Sequence, residues 1–339
     1  MPRKTRHNSI TSPDKLALVN RENMRLKEDF LDYLKSLRRS PGTLAGYDND
    51  LNIIFTYMME RLGNKDFRKL TKRDIISIQN WLVDNGNSPA RIRRIKSALS
   101  SLSNYCENIL SDDDPDYSGY RAVVRKIENP PLQAVREKTV WGDDELEDIL
   151  KVLIDKKKYE MACFVALAAY SGRRKSELCR FRVSDFDNSR LVCEGALFKS
   201  APILTKGGKM LECYTLAHKF EPYLNAWLQY RNENSIQSDW LFPDKNNSDD
   251  HIQISTVNSW ANTLSTISGR DFYFHSLRHA FCSALIREGI PDSVIVDIVG
   301  WSSSEMLKIY NDNPKDDRLG MYFTKDGIVA PQAKSLSDI

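Results

Sequence analysis

The chain has 339 residues, of which 41% are hydrophobic and 28% are charged. This composition suits a folded protein with a core and excludes wholesale disorder. The net charge of +3 hides an asymmetry, because residues 1–100 carry 20 Lys and Arg against 11 Asp and Glu, whereas the remainder carries 29 against 35. A basic front end joined to a mildly acidic remainder favours a polyanionic partner.

Targeting signals and cysteine spacing indicate the compartment. The chain contains no apolar run long enough to span a membrane, and its basic start has no apolar segment behind it that would make a secretory signal. None of the six cysteines forms a C-x-x-C pair, and most of them lie in apolar runs. We therefore expect buried free thiols in a reduced, cytoplasmic protein.

The front of the chain predicts a basic flexible arm over residues 1–20 and a helical domain over residues 21–111. Four helices are predicted at about 22–39, 41–63, 72–86 and 89–110. Ser40-Pro41 and Ser88-Pro89 are plausible starts for two of them, and Thr71 with Asp74 has the spacing of a cap for a third. In the fourth helix, apolar residues at 92, 95, 99, 102, 106 and 109 form a regular helical stripe.

The fourth predicted helix also carries a cluster of cations in its first two turns, which are Arg91, Arg93, Arg94 and Lys96. Cations near a helix N-terminus oppose the helix dipole, so another interaction must favour them there. Contact with DNA phosphates would do so, and a solvated helix face is the alternative.

Residues 112–140 are acidic, contain prolines and lack periodicity, which predicts an interdomain linker. A second domain is predicted over residues 141–314, with a tail over 315–339. Helical patterns occur at about 143–156, 158–171, 219–231 and 254–267, with three more between 276 and 310. Short β-prone runs between 191 and 216, interrupted by Gly207-Gly208, predict a hairpin. The predicted fold is thus mainly α with a small antiparallel β-sheet.

The segment SGRRKSEL at residues 171–178 places three cations directly after the most apolar helix of the chain. Cations at a helix C-terminus complement the helix dipole, which is a sufficient structural reason for them. Because the preceding helix is so apolar, we expect at least one of these side chains to be partly buried. A buried arginine needs an anion, which either Glu177 or a ligand phosphate would supply.

The segment HSLRHAFCSALIREG at residues 275–289 predicts another helix, with Ser276 as its N-cap and Gly289 as its stop. His275, Arg278 and His279 would then surround the helix N-terminus. Such a group predicts an anion site, because the N-terminal N–H groups and an arginine fork both bind phosphate. A satisfied histidine beside a surface arginine is the alternative.

A third segment, GWSSSEMLKIYNDNP at residues 300–314, contains Trp301 and Tyr310. The sequence contains no carboxylate cluster suited to Mg²⁺, no glycine-rich phosphate loop and no H-E-x-x-H motif. Phosphoryl chemistry without a metal needs cationic side chains and a protein nucleophile or an activated water. Tyrosine is an acceptable covalent nucleophile.

Taken together, these motifs resemble the tyrosine recombinase, or phage integrase, superfamily from about residue 22 to residue 311. The resemblance implies an N-terminal helical core-binding domain of the SAM-like type followed by a catalytic domain. It implies a catalytic set of six residues, with Lys209 and Lys199 as weaker candidates for the hairpin lysine, and two supporting residues. The catalytic set is Arg174, Lys206, His275, Arg278, Trp301 and Tyr310, and the supporting residues are Glu177 and His279.

One catalytic position departs from the pattern of many family members, which carry histidine where this chain has Trp301. Cre recombinase is similar to this chain in having tryptophan there. An indole N–H can donate a hydrogen bond to a phosphate oxygen but cannot shuttle protons. The acid and base roles would therefore belong to Lys206 and His275.

The resemblance implies a site-specific recombinase that cuts DNA through a 3′-phosphotyrosyl bond, without a metal or a cofactor. Its implied partners are double-stranded DNA with specific recombination sites and three further copies of the chain, with a Holliday junction as intermediate. We expect an integrase or excisionase of a phage or mobile element. A Xer-like dimer resolvase or a DNA invertase is the alternative, and a type IB topoisomerase or an inactive DNA-binding relative fits the residues less well.

Overall fold

A computed structural model describes residues 11–131, 141–205, 208–301, 303–307, 323–324 and 327–328. The described residues form two compact units, which lie on either side of residues 132–140 in the chain. The described part of the first unit is helical, and that of the second is mainly helical with short antiparallel strands. The predicted fold class is confirmed.

The N-terminal unit is built on helices whose starts follow the predicted caps. The Ser40 and Ser88 hydroxyls accept hydrogen bonds from backbone N–H groups three residues later, and Thr71 forms a capping box with Asp74. Each cap satisfies N–H groups that have no partner within the helix. The helices are α1 (Pro13–Ala17), α2 (Arg21–Ser36), α3 (Pro41–Arg61), α4 (Lys72–Asp84), α5 (Pro89–Tyr105) and α6 (Ser111–Asp113).

The apolar stripe of α5 is buried as predicted up to Cys106, but Ile109 at its end is 37% exposed. The helix continues from α5 into a π-helical turn over Cys106–Leu110. A π turn adds a residue to the usual helical repeat and so rotates the following side chains out of register. The prediction for Ile109 was wrong for this reason.

Part of the predicted arm is folded onto the N-terminal unit. Residues 13–17 form α1, and Lys15 makes an ion pair of 2.6 Å with Glu60 of α3. The backbone N–H of Asn20 donates to Oδ1 of Asn64 at 2.8 Å. The prediction of a flexible arm over residues 1–20 is therefore corrected for residues 11–20, and residues 1–10 lie outside the described residues.

The first half of the predicted linker also belongs to the N-terminal unit. Val124 is 6% exposed, and Tyr117 and Tyr120 pack against the helical core. The ring of Tyr120 stacks on Phe67 with a centroid distance of 6.4 Å. The acidic composition of residues 112–119 obscured these apolar anchors, which fold residues 112–131 onto the preceding helices.

The second unit surrounds α8, an apolar helix that is buried almost from end to end. It packs against α7, α10 and α12 and ends at the turn that carries the cation cluster. The helices are α7 (Asp143–Asp155), α8 (Tyr159–Ser171), α9 (Lys175–Leu178), α10 (Ala217–Glu233), α11 (Ile254–Ser268), α12 (Phe274–Arg287) and α13 (Asp292–Val299).

The described strands form a three-stranded sheet and two separate hairpins rather than a single small sheet. The sheet has the order β1–β2–β5, and the hairpins are β3–β4 and β6–β7, with all pairs antiparallel. The β6–β7 hairpin lies in the predicted C-terminal tail. The strands are β1 (Leu191–Val192), β2 (Leu197–Lys199), β3 (Ile203–Leu204), β4 (Met210–Leu211), β5 (Tyr214–Leu216), β6 (Phe323–Thr324) and β7 (Gly327–Ile328).

Candidate active site

The turn after α8 presents Arg174 on a buried carboxylate. Helix α8 ends at Gly172, whose φ of +59° is a left-handed conformation that favours glycine. A Cβ at Gly172 would also lie 2.4 Å from the ring of Phe281. The chain then enters α9, where Glu177 accepts hydrogen bonds from the backbone N–H and from Nη1 of Arg174, both at 3.1 Å.

The exposure of this pair shows which group is presented to a ligand. The Arg174 side chain is 36% exposed, whereas that of Glu177 is 1% exposed. The carboxylate therefore holds the guanidinium from beneath, and other donor groups of the fork face outward. A charge-assisted bond of this kind fixes an arginine better than solvent does.

The buried arginine of the cluster is Arg173, to which the sequence assigned no role. It is 2% exposed, and its guanidinium donates to the backbone carbonyls of Glu212 at 2.7 Å, Ile298 at 2.9 Å and Val299 at 3.4 Å. Among the described residues no carboxylate lies within ion-pair distance of it. The expected pairing with Glu177 is present at Arg174, whereas the more deeply buried Arg173 donates to carbonyl oxygens instead of to an anion.

Helix α12 begins three residues earlier than predicted, with Tyr273 rather than Ser276 as its N-cap. The Ser276 hydroxyl donates to the carbonyl of Tyr273 at 2.5 Å and accepts from the indole N–H of Trp141 at 2.7 Å. His275 therefore lies in the first turn and Arg278 lies one turn further on. The guanidinium of Arg278 donates to the carbonyl of Gly172 in the turn after α8.

Arg278 lies in the floor of this region, only 1% exposed. Its Nη1 donates to the carbonyl of Gly172 at 2.8 Å, and its Nη2 lies 3.5 Å from the carbonyl of Val299. Its guanidinium carbon lies 5.3 Å from the centre of the Trp301 ring, within cation–π distance. Arg278 thus connects the turn after α8 to the end of α13.

His275 reaches solvent beside these arginines, and its environment favours the neutral imidazole. Partial burial lowers the pKa of His275, and the positive charges of Arg278, His279 and Arg174 lower it further. The neighbouring His279 is buried, with its Nδ1 3.3 Å from the hydroxyl of Ser283. A neutral imidazole at neutral pH can accept a proton, as a general base must.

The structure thus brings Arg174, His275, Arg278 and Trp301 together around the ends of α8 and α13. Lys206 and Tyr310 lie outside the described residues. Of the weaker lysine candidates, Lys209 is exposed beside the β3–β4 turn. The other, Lys199, pairs with Glu212 at 2.9 Å, and this hydrogen bond raises the pKa of Lys199.

The cations of α5 in the N-terminal unit have internal partners. The carboxylate of Asp50 is buried, forms an ion pair with Nη1 of Arg91 at 2.5 Å and accepts a hydrogen bond from Nε of Arg94 at 3.0 Å. This buried carboxylate provides the favourable interaction that the sequence attributed to phosphate. The side chain of Arg94 is nevertheless 58% exposed, so its outer face can reach a ligand.

Lys96 is not positioned for DNA contact, which corrects the prediction for this residue. It is 9% exposed, and its ammonium donates to the backbone carbonyls of Ile127 at 2.6 Å and Glu128 at 2.9 Å. Burial lowers the pKa of Lys96. Arg93 binds the same stretch of chain through the carbonyl of Pro130 at 3.0 Å. Both side chains hold residues 127–130 against α5.

Among the residues that the structure describes, no three His, Cys, Asp or Glu side chains gather closely enough to hold a metal ion. Within the same residues, every helix is too short or too polar to cross a bilayer.

Comparison with known families identifies both halves of the chain. Residues 141–316 match the phage integrase family, and residues 28–107 match the phage integrase N-terminal SAM-like domain. The chain is a member of the phage integrase family. Relatives within it are named tyrosine recombinases, enzymes that cleave and rejoin DNA in site-specific recombination, and this activity is the chain's as well.

Several curated proteins are similar to this tyrosine recombinase. The SPbeta prophage-derived recombinase-like protein YomM of Bacillus subtilis is 30% identical over 63% of this chain and 63% of its own length. A tyrosine recombinase of Thermosipho africanus is 25% identical over 84% of this chain and 93% of its own length. Tyrosine recombinase XerD of Oceanobacillus iheyensis is 24% identical over 87% and 96%, respectively.

Solved structures share the fold of this tyrosine recombinase at low sequence identity. XerH site-specific recombinase, bound to a palindromic difH substrate after cleavage, has a TM-score of 0.64 and 18% identity, covering 87% of this chain and 82% of its own. A lambda integrase dimer bound to a COC' core site has a TM-score of 0.62 and 16% identity, covering 86% and 96%. These likenesses establish the fold.

Proposed function

We propose that this tyrosine recombinase cuts DNA by attack of Tyr310 on the scissile phosphate, which forms a 3′-phosphotyrosyl bond and releases a 5′-hydroxyl. The supporting observation is the cluster of Arg174, His275, Arg278 and Trp301 around the ends of α8 and α13. This cluster combines two guanidinium groups with a neutral imidazole, as metal-free phosphoryl transfer requires.

The two arginines stabilise the negative charge that develops on the phosphate. Arg174 offers the exposed part of its fork to the non-bridging oxygens, while Glu177 fixes its orientation. Arg278 adds positive charge from the floor of the site, where burial strengthens its field. Charges that are already in place cost no reorganisation when the transition state forms.

Two further residues move the protons. His275 accepts the proton of the attacking tyrosine, a role that suits an imidazole whose pKa is lowered. Lys206 donates a proton to the departing 5′ oxygen. Trp301 packs beside Arg278 and donates its indole N–H to the phosphate, without taking part in proton transfer.

The proposed partners are double-stranded DNA with specific recombination sites and other copies of the chain in a homo-tetramer, with no cofactor or metal. Structural neighbours support this proposal. XerH was solved on a difH substrate, and lambda integrase was solved as a tetramer on a Holliday junction. Residues 21–111 would bind the duplex together with the catalytic domain at residues 141–314, and Arg91 and Arg94 are the remaining α5 candidates for phosphate contact.

We propose that the recombinase integrates or excises a phage or another mobile element. The similarity to the SPbeta prophage-derived protein supports this role. A Xer-like resolvase of chromosome or plasmid dimers is the second candidate, because Xer proteins match along most of the chain. Footprinting of the purified protein on DNA that flanks its gene would separate the two roles. Protection at an element boundary supports the first role, and protection at a chromosomal or plasmid resolution site supports the second.

The nucleophile is tested with Tyr310→Phe on a nicked duplex that traps the covalent adduct. We expect this variant to bind the duplex with an affinity within about twofold of the wild type and to form no adduct, because the attacking oxygen is missing. The control Tyr230→Phe should form the adduct at the wild-type rate. Adduct formation by Tyr310→Phe would reject the assignment. Adduct formation by the wild type should persist in EDTA, and a strict requirement for Mg²⁺ would reject the metal-free mechanism.

A further inference from the structure

The β3–β4 hairpin is a short extension of the three-stranded sheet. Its strands have two residues each and pair with one another, and where β2 and β5 lead into them the backbone N–H of Ser200 donates to the carbonyl of Cys213 at 2.9 Å. Ile203 packs in the core, whereas Leu204 is 44% exposed. Hydrogen bonds from outside the sheet add to its fixation, and one of them runs from Nη1 of Arg180 to the carbonyl of Leu204 at 2.7 Å.

Arg173 supplies such a contact from the turn after α8. Its Nη2 donates to the carbonyl of Glu212, the first residue after β4, at 2.7 Å. The same Nη2 donates to the carbonyl of Ile298 at 2.9 Å, and Nη1 donates to that of Val299 at 3.4 Å. One buried guanidinium therefore joins the hairpin to the C-terminal end of α13.

The chain leaves α13 directly over this guanidinium. Gly300 has a φ of +71°, and a Cβ on it would lie 2.5 Å from Nη1 of Arg173 and 3.2 Å from Cδ1 of Leu211 in β4. Trp301 follows at once and lies beside Arg278. The hairpin and the Gly300-Trp301 turn thus meet on one side chain, so that a shift of either is transmitted to the other.

We propose that Arg173 is a positioning residue that sets where the hairpin delivers its proton to the departing 5′ oxygen. This inference rests on the proposed function, in which Lys206 of that hairpin is the general acid. In the step, the bond between Tyr310 Oη and phosphorus forms, and the bond between phosphorus and the 5′ oxygen breaks. The tyrosine proton passes to His275, and the 5′ oxygen takes a proton from the lysine ammonium.

A substrate with sulfur in place of the bridging 5′ oxygen isolates this proton. A thiol has a pKa of about 8.5, so a 5′ thiolate leaves without the proton that a 5′ alkoxide requires. The test measures single-turnover adduct formation on nicked duplexes with oxygen or sulfur at the mapped cleavage position. Two measurements test the proposed function independently of Arg173. The wild type should form the adduct on the oxygen duplex, and the sulfur duplex should restore adduct formation by Lys206→Ala.

We expect Arg173→Met to form adduct about 100-fold more slowly than the wild type on the oxygen duplex, and within about threefold of it on the sulfur duplex. Arg173→Lys keeps the charge and some donors but loses the fork, and it should fall between Met and the wild type on the oxygen duplex. Should Arg173→Met fold poorly, Arg173→Lys alone carries the same comparison between the two duplexes.

The matched control is Arg231, another buried arginine of the same unit. It is 6% exposed and also donates to backbone carbonyls, those of Ser238, Trp240 and Leu241. Arg231→Met should slow both duplexes equally, through loss of folded protein. An equal loss on both duplexes for Arg173→Met and Arg173→Lys would overturn the positioning role, and selective recovery on the sulfur duplex would establish it.

Discussion

Two runs of cations, one in each unit of the molecule, are superficially alike and structurally opposite. At the start of α5, Arg91 and Arg94 share the buried carboxylate of Asp50, and Lys96 is enclosed by backbone carbonyls. After α8, Arg174 lies on the buried Glu177 with part of its fork exposed, while Arg173 is buried on carbonyls. In each run, one residue faces outward and a close neighbour is enclosed.

The difference lies in what the enclosed cation holds in place. Lys96 holds residues 127 and 128 against α5, which stabilises the helical unit. Arg173 holds the hairpin and the Gly300-Trp301 turn, both of which carry candidate catalytic residues. Loss of the first contact should therefore change stability, and loss of the second should change chemistry. A cluster of cations in a sequence does not reveal this division, because it depends on helix phase and on distant carbonyls.

Among the changes that test the contrast between the two runs of cations, we expect Glu177→Gln to have the largest effect. The amide cannot balance the charge of Arg174, and its NH₂ group would face another donor, so the fork loses its fixed orientation. We expect adduct formation to slow by about 10- to 100-fold, with a fall in the free energy of unfolding of about 1–3 kcal/mol.

Glu107→Gln is the matched control for Glu177→Gln. The Glu107 side chain is 10% exposed and pairs with Arg125 at 2.6 Å in the N-terminal unit. Glu107→Gln should lower the free energy of unfolding. Its rate of adduct formation per folded molecule should fall much less than that of Glu177→Gln. A wild-type rate of adduct formation for Glu177→Gln would show that Arg174 needs no support from beneath.

A smaller effect separates the exposed and buried cations of α5. Lys96→Met removes the donor to the carbonyls of Ile127 and Glu128, and we expect the free energy of unfolding to fall by about 1–3 kcal/mol in urea titrations. The salt dependence of DNA binding should stay unchanged. Arg94→Gln should instead reduce the slope of log K against log salt by about 0.9, as loss of one phosphate contact does. A reduced slope for Lys96→Met would return that residue to the DNA-binding surface.

Local chemistry made much of the fold predictable from sequence. Caps at Ser40, Thr71 and Ser88 set helix starts, and glycine in a left-handed conformation ended α8 at Gly172. Apart from Ile109, which a local π-helical turn exposes, the failures came from interactions between residues far apart in the sequence. Ser276 has the residue type of an N-cap, yet its hydroxyl is bound by Trp141, 135 residues earlier in the chain. The folded part of the linker depended on aromatic packing against the helical core.

The candidate site likewise contains residues that local sequence motifs predict and one residue that they do not. The residue types of Arg174, His275 and Arg278 follow from motifs, and their roles remain predictions. Arg173 carried no such signal, since its partners are main-chain carbonyls that any sequence provides. Only the three-dimensional path of α13 and the hairpin brings those oxygens to one point. The glycine at position 300 was the one local sign, because it leaves room for a guanidinium beneath it.

The smallest expected effect measures the charge at the catalytic cluster directly. Because burial and the charges of Arg278, His279 and Arg174 lower the pKa of folded His275, the unfolded chain binds a proton there first as the pH falls below about 6.5. Stability should therefore decline in that window, and His275→Gln should make the decline shallower in urea titrations at pH 7.5 and 5.5.

Titration of the imidazole by NMR should give a pKa below 6.5, which Arg174→Gln raises and the control Arg231→Met leaves unchanged. A His275 that titrates at 6.5 or above would mean that its arginine neighbours are neutralised, as Arg91 and Arg94 are by Asp50, and would remove the contrast between the two clusters.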